Sequence, residues 1–86
     1  MFCRRFERQV HITRHARERM LERNISEAQL VELLETGDTR FKDDTRLWIA
    51  KAFPKRTDNL VCAAVVLEDL LVVKAVMHHF DWEAMP

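Results

Sequence analysis

Residues 60–78 read LVCAAVVLEDLLVVKAVMH, and this stretch decides the fold class of the chain. Its first eight residues are continuously apolar, which is typical of a central strand that is covered on both faces. Glu68 and Asp69 then supply the polar break of a tight turn, so that 70–78 returns as a second strand. We therefore predict an antiparallel pair of strands in the last third of the chain.

Two more strands are predicted upstream of this pair. Residues 45–53 alternate, with Leu47, Ile49 and Phe53 on one face, as a strand with one buried face does. Residues 39–42 read as a short strand that a turn joins to it. The core is then expected to contain Leu30, Leu33 or Leu34, Ile49, Cys62, Ala64, Val66 and Val72.

Two helices are predicted before the strands, over 14–23 and 27–36. Thr13 and Ser26 are good N-cap residues for them, and a glutamine three positions after Ser26 completes a capping box. Gly37, the single glycine, follows the second helix, where a C′ residue often adopts a left-handed conformation. Because the connections between these elements are short, we expect elements that are consecutive in the sequence to be adjacent in space.

The predicted fold class is α+β, with two N-terminal helices packed on one face of an antiparallel β-meander of three to four strands. The N-terminal segment gives no clear prediction, because Phe2, Phe6 and Val10 recur at helical spacing among arginines. The expected organisation is a poorly defined segment over 1–11, a single α+β domain over 12–80 and a C-terminal tail over 81–86.

The charge of the chain is balanced overall but arranged in blocks. Fourteen basic and fourteen acidic residues give a formal net charge of zero, so no overall field attracts the protein to nucleic acid or to a membrane. Residues 1–25 carry seven arginines against three glutamates, and residues 26–44 carry six acidic residues against two basic ones. Any basic surface must therefore have an acidic counterpart.

Several classes of protein are disfavoured by the remaining features. The N-terminal residues lack the apolar region of a signal peptide, and three charged residues interrupt the longest apolar run, so it is not a membrane span. We expect a cytoplasmic protein. Cys3 and Cys62 are too far apart in sequence for a C-x-x-C motif, and they indicate neither a disulfide framework nor a zinc site.

The first helix carries the most unusual pattern, because polar and apolar residues share one arc. At about 100° per residue with His15 at zero, Arg19 lies at about 40°, Arg23 at about 80°, Ala16 at about 100° and Met20 at about 140°. Charged groups near the core need partners, since an unpaired buried charge is costly. Two interpretations stay open: structural ion pairs, which are the commoner case, or a cleft in which arginines bind an anion and His15 titrates.

Other basic residues extend this candidate site. Lys51 shares the parity of the inward-facing residues of its strand and is expected to face the helices, and His78 ends the last strand as a second candidate acid or base. Arg46, Lys55 and Arg56 form a second basic cluster, with either a nucleic-acid-binding role or the ordinary role of solvated surface charge.

No metal site and no cofactor are expected. His78 and His79 are adjacent in a predicted strand, so their side chains should point to opposite faces and should not chelate one metal ion. The sequence contains no H-E-x-x-H motif, no Cys/His finger spacing and no glycine-rich phosphate loop.

The stretch ITRHARERM at 12–20, followed by RNIS at 23–26, resembles a family of small bacterial proteins known only as a domain of unknown function, the DUF4258-like family. Its members open with H-A-x-x-R-hydrophobic-x-x-R-G-I-S, then a second helix and a strand meander. Asn24 stands here where many members have glycine, an acceptable exchange at a left-handed helix stop. The resemblance covers about residues 12–80 and implies roles only for His15, Arg19 and Arg23.

The layout of that family is similar to the fold of RelE/ParE-like toxins, whose members include metal-independent ribonucleases. The resemblance thus implies a toxin-type RNA-interacting protein and a candidate endoribonuclease, in which a 2′-hydroxyl attacks the adjacent phosphate. His15, Arg19, Arg23, Lys51 and His78 are the candidate catalytic residues. The chain has no tyrosine, which some RelE-like nucleases use.

The alternative function is a non-catalytic protein-interaction module that associates with a cognate partner or with a second copy of itself through a sheet edge. The expected partners are therefore RNA or a protein, and not a membrane. The position of His15 and Arg19 separates the two functions: an exposed basic groove favours RNA, and burial against carboxylates favours the interaction module.

Overall fold

The computed structural model describes residues 1–84, and in it the chain forms two strands, two helices and then four more strands. The elements are β1 (Phe2–Cys3), β2 (Arg8–Ile12), α1 (Arg14–Glu22), α2 (Glu27–Thr36), β3 (Asp38–Phe41), β4 (Arg46–Ala52), β5 (Leu60–Leu67), β6 (Leu71–Phe80) and a short 3₁₀ helix, Trp82–Ala84. Residues 85 and 86 of the expected C-terminal tail lie outside the described range.

The predicted fold class is wrong in three respects. Residues 1–12 contribute β1 and β2, so the helices are not N-terminal, and the sheet has six strands in the order β1-β2-β6-β5-β4-β3. The sheet is also mixed, because β2 pairs in parallel with β6, with Val10 opposite Leu71 and Ile12 opposite Val73. Pairing between strands so distant in sequence leaves no local signal, and a five-residue strand is too short for its alternation to be distinguished from a helical spacing.

The arginines of the N-terminal segment hold it against the rest of the molecule. The backbone N–H groups of Arg4 and Arg5 donate to the two carboxylate oxygens of Glu35, at 2.7 and 2.9 Å. The guanidinium of Arg5 donates to the carbonyl of Gly37 at 2.8 Å, beyond the C-terminal end of α2. A segment that composition alone marked as loose is thus attached to α2 by charge-assisted hydrogen bonds.

Both helices begin where the capping residues predicted. The Thr13 hydroxyl accepts the N–H of Ala16 at 3.1 Å, and Ser26 and Gln29 form the reciprocal capping box, at 3.1 and 3.0 Å. Asn24 separates the helices with φ 54°, the left-handed conformation predicted for it.

The role predicted for Gly37 is wrong. Its backbone is extended, with φ −72° and ψ 162°, so this position does not require a left-handed conformation. Space is the reason for glycine, because a Cβ there would lie 2.6 Å from the carbonyl oxygen of Leu33 and 2.8 Å from Cγ2 of Ile49. The absence of a side chain lets α2 end directly against β4.

The helices pack on one face of the sheet, and the last two strands present the opposite parity from the one predicted. The core cluster contains Val61, Ala63 and Val65 of β5 and Leu71 and Val73 of β6. Of the residues predicted for the core, Cys62 is fully buried, whereas Ala64, Val66 and Val72 are only half-buried. A continuously apolar run shows no alternation, so sequence could not assign its faces. Within the described chain, no helix has the length and hydropathy needed to cross a bilayer.

Candidate functional site

A polar pocket of about 440 Å³ opens at one end of the sheet, where three segments meet. These segments are the C-terminal end of α1, the loop between β4 and β5, and the end of β6. Three basic residues, two acidic residues and two histidines are among those that line it, so the pocket favours an anion. The lining residues are Glu22, Arg23, Asn24, Lys55, Arg56, Thr57, Asp58, His78 and His79.

Arg56 fixes the loop to the end of α1. Its guanidinium donates to the Asp58 carboxylate from Nε at 2.9 Å and from Nη2 at 2.5 Å. It also donates to the carbonyl oxygens of Asn24 at 2.8 Å and Arg23 at 3.0 Å, which follow the last turn of α1 and lack helical partners. Most of its donors are thus used within the protein, and its role is to position the loop.

Asp58 is an ionised carboxylate that orients His78. Hydrogen bonds from Arg56 hold the pKa of Asp58 well below its usual range, and the His78 hydrogen bond acts in the same direction, outweighing the opposing effect of burial. Nδ1 of His78 lies 3.0 Å from Oδ2 of Asp58. Because an ionised carboxylate only accepts, Nδ1 carries the proton, and Nε2 is the basic nitrogen of the neutral ring.

His79 does not point away from His78, and the prediction that it would is wrong. Its φ is 52°, so the strand alternation on which that prediction depended ends at this residue. The backbone N–H of His79 donates to the carbonyl of Asp58 at 2.8 Å, which holds this conformation. The two imidazole centroids are consequently 4.5 Å apart, and both rings line the pocket.

This conformation also brings together three potential metal ligands. One ligand atom from each of Asp58, His78 and His79 lies within 4.8 Å of the others. Both Asp58 oxygens, however, already accept hydrogen bonds from Arg56, and the surrounding cations oppose a divalent ion. That the chain has no metal site stays a prediction.

Four of the residues singled out in the sequence meet in this pocket: Arg23, Lys55, Arg56 and His78. Arg23 is half-buried, and its Nη1 donates to the carbonyl of Val76 in β6. Arg23 therefore lies at the boundary between helix and sheet.

The other candidates lie elsewhere. His15 is exposed near the start of α1, and Arg19 forms an ion pair with Glu22 at 2.7 Å, with 37% of its side chain exposed. Lys51 is half-buried in β4 but does not line the pocket. Arg46 pairs with Asp43 at 2.6 Å in the turn before β4.

Sequence reasoning missed Asp58 and His79. Asp58 belongs to a polar loop that is typical of a solvent-exposed connection between strands. Its position two residues after Arg56 is not a recognised motif. The left-handed conformation of His79 is not encoded by its residue type, since a non-glycine residue rarely adopts it. A histidine pair at the end of a strand, followed by residues that do not continue it, was the only available signal.

Comparison with known proteins gives one match. The model of a family described as "Domain of unknown function (DUF4258)" matches residues 12–78, a range that runs from the end of β2 to His78 and includes most of the pocket. No curated protein and no solved structure is similar enough to this chain to match it.

Proposed function

We propose a function for this chain, which belongs to the DUF4258 family: it is an RNA-interacting protein of RelE-like toxin type that cleaves RNA without a metal ion. The observation that carries the proposal is the contact between His78 and Asp58 at 3.0 Å. A carboxylate that fixes the tautomer of an imidazole inside a cationic pocket is the arrangement that general acid–base chemistry on a phosphodiester requires.

The two histidines have complementary roles in the proposed reaction. Nε2 of neutral His78 accepts the proton of a ribose 2′-hydroxyl, and the 2′-oxygen forms a bond to the adjacent phosphorus. The bond from phosphorus to the 5′-oxygen breaks, and protonated His79 donates its proton to that leaving oxygen. The products are a 2′,3′-cyclic phosphate and a 5′-hydroxyl, with no other reactant consumed.

Two cations are placed to stabilise the charge that develops on the phosphate. Arg23 lines the pocket while one of its Nη1 hydrogens is donated to Val76, and Lys55 is exposed at the rim. Arg56 acts indirectly, because its donors are occupied by Asp58 and by the end of α1. This assignment makes Arg23 and Lys55 phosphate ligands and Arg56 a positioning residue.

The test is a cleavage assay on end-labelled single-stranded RNA in the presence of a chelator. The wild type is expected to produce fragments that end in 2′,3′-cyclic phosphate. His78→Ala and His79→Ala should each lower the rate by about 100-fold or more, the range of acid–base contributions. His11→Ala, which alters an exposed residue of β2, is the matched control and should cleave like wild type.

The variant His15→Ala distinguishes between two locations of the active site, the His78 pocket and the exposed face of α1. We expect His15→Ala to retain cleavage, because His15 is exposed and does not line the pocket. Loss of cleavage in His15→Ala, with His78→Ala active, would move the site to the exposed face of α1. Absence of RNA cleavage by the wild type across a panel of single-stranded and structured RNAs would refute the nuclease proposal.

A specific observation favours a second candidate function, self-association. β3 is an edge strand of the sheet, all four of its residues are exposed, and 52% of Phe41 is accessible. An exposed edge with unpaired backbone groups is a template for another strand. The test is the molecular mass in solution by light scattering, with Phe41→Lys expected to convert any dimer to a monomer.

A further inference from the structure

The face of the sheet that is turned away from the helices carries a small aromatic cavity. Trp48 of β4 is opposite Ala64 of β5, and Ala64 is opposite Ala75 of β6. Because two alanines follow the indole across the sheet, a shallow cavity of about 200 Å³ remains beside the ring. The two alanines come from the apolar stretch whose parity the sequence could not assign, so the cavity is a consequence of that register.

Cations surround this cavity. Lys42, Arg46 and Lys74 line it, and among the described residues that do so none is acidic. Nζ of Lys42 lies 6.0 Å from the centroid of the Trp48 ring, at the limit of a cation–π contact. Arg46 is held in place by its pair with Asp43, so the two lysines are the cations of this cavity that a ligand can engage. We call these residues, with Trp48 and Ala64, the Trp48 face.

A second pair of planar groups continues this surface. Arg40 of β3 is opposite Trp48 in the register, and its guanidinium lies 4.7 Å from the ring centroid of Trp82. Phe80 contacts Trp82 edge to face, with centroids 5.1 Å apart. Flat aromatic and guanidinium groups thus extend from the middle of the sheet toward its β3 edge.

We infer that the Trp48 face binds single-stranded nucleic acid, with one base stacked on Trp48 and the adjacent phosphates paired with Lys42 and Lys74. Sheet surfaces that combine aromatic rings with basic side chains bind unpaired strands in this way, because every base has a π face and every linkage carries a negative charge. A duplex keeps its bases stacked on each other and cannot supply a free one. An acidic peptide would pair with the lysines but would leave the indole unused.

This inference is independent of the proposed cleavage reaction. The Trp48 face and the His78 pocket are separate surfaces: among residues 1–84 they share no lining residue, and the pocket lies at the end of the sheet beside the C-terminal end of α1. Binding at the Trp48 face therefore does not require cleavage in the His78 pocket. Binding can be measured in a variant that cannot cleave RNA, and cleavage can be measured in a variant of the Trp48 face.

The experiment measures binding of fluorescein-labelled oligouridylate by anisotropy, in the His78→Ala background so that the RNA stays intact. Trp48→Ala should weaken binding about tenfold, the loss expected for one base–aromatic stack, and Trp48→Phe should retain most of the affinity. Lys74→Glu should also weaken binding and reduce its salt dependence. Arg14→Glu is the matched control, because it makes the same charge change at an exposed position of α1. It should bind the oligouridylate more tightly than Lys74→Glu does.

A second measurement, tryptophan fluorescence, keeps the inference testable if the Trp48→Ala variant does not fold. The chain has two tryptophans, so Trp82→Phe leaves Trp48 as the only indole, and unlabelled oligouridylate should quench its fluorescence. The inference would be overturned if the oligouridylate left the Trp48 fluorescence unchanged, or if Trp48→Ala bound it as tightly as the parent protein does. It would also be overturned if the protein bound a blunt duplex as tightly as the single strand. Binding of polyglutamate or of anionic vesicles that competes fully with the oligonucleotide would overturn it as well.

Discussion

Arg56 and Asp58 lie two residues apart in the loop between β4 and β5 and are joined by two hydrogen bonds, Nε to Oδ1 at 2.9 Å and Nη2 to Oδ2 at 2.5 Å. Only 12% and 13% of their side chains are exposed. A pair so well covered is screened little by solvent, and it sets the position of the carboxylate that orients His78. The loop, the end of α1 and the last strand are coupled through it.

Removal of this arginine should destabilise the fold strongly. We expect Arg56→Ala to lower the free energy of unfolding by about 3 kcal/mol, because a covered carboxylate loses its partner and two backbone carbonyls lose a donor. Urea denaturation provides the measurement. Arg17→Ala is the control, since its pair with Glu27 is more than half exposed and should contribute less than about 1 kcal/mol. Equal losses in the two variants would contradict the coupling described above.

The stability of the protein should depend on Asp58 in acid. Its folded pKa is lowered by the hydrogen bonds from Arg56, so its contribution is complete above the unfolded pKa of about 3.9 and is lost as the pH falls from there through the folded pKa. The difference in unfolding free energy between wild type and Asp58→Asn should therefore narrow below about pH 4. Asp43→Asn, at a more exposed carboxylate, should show a smaller change. A difference that stays constant to low pH would contradict the assignment.

Substitution of Gly37 should be unfavourable for steric reasons. A Cβ there would approach the carbonyl oxygens of Leu33 and Ala50 to 2.6 and 3.0 Å, and backbone atoms cannot move aside cheaply. We expect Gly37→Ala to cost about 1–3 kcal/mol of unfolding free energy, measured by thermal or urea denaturation. Thr36→Ala, at the exposed preceding residue, should stay within about 0.5 kcal/mol. A stabilised Gly37→Ala would show that the α2–β4 approach is looser than described.

Glu35 should control the attachment of the N-terminal hairpin. Glu35→Ala removes the acceptor of the backbone N–H groups of Arg4 and Arg5, so amide hydrogen exchange in β1 and β2 should accelerate while β5 stays protected. Glu32→Ala changes an exposed residue of the same helix and should leave the exchange pattern as in wild type. Uniform acceleration over all strands would indicate global destabilisation instead of local release.

Removal of metal ions should not affect the pocket. Because both Asp58 oxygens are engaged by Arg56, we expect the purified protein to retain no stoichiometric zinc after dialysis against a chelator. Elemental analysis and the cleavage assay before and after dialysis provide the measurement. Retained zinc that disappears in His79→Ala would contradict the prediction and assign the three neighbouring ligands to a metal.

Local signals in the sequence were sufficient for the helices and for most strand positions. Thr13 and Ser26 fixed the helix starts because capping depends on residues within one turn. The parallel pairing of β2 with β6 and the parity of β5 depend on contacts far along the chain, and no local pattern reports them. The predicted α+β meander consequently lacked β1 and β2, and β2 is the strand whose parallel pairing makes the sheet mixed.

The same division applies to the pocket. Arg23 was located by helical periodicity, and His78 by its position at the end of a strand. Asp58 and His79 became part of the site only through a hydrogen bond to Arg56 and a left-handed backbone conformation, and neither is visible in residue type or spacing. Conversely, His15 shared the promising arc of α1 but is exposed and does not line the pocket.

The parallel pairing of β2 with β6 has a consequence for biosynthesis. β2 leaves the ribosome well before its partner strand, residues 71–80, so the hairpin of β1 and β2 has no sheet to join until β6 has been translated. The pocket depends on the same late event, since His78 and His79 are supplied by that strand. Chains whose synthesis stops before residue 71 would therefore lack both the closing strand and the two imidazoles. Any chemistry of this pocket is restricted to chains that have been translated through β6.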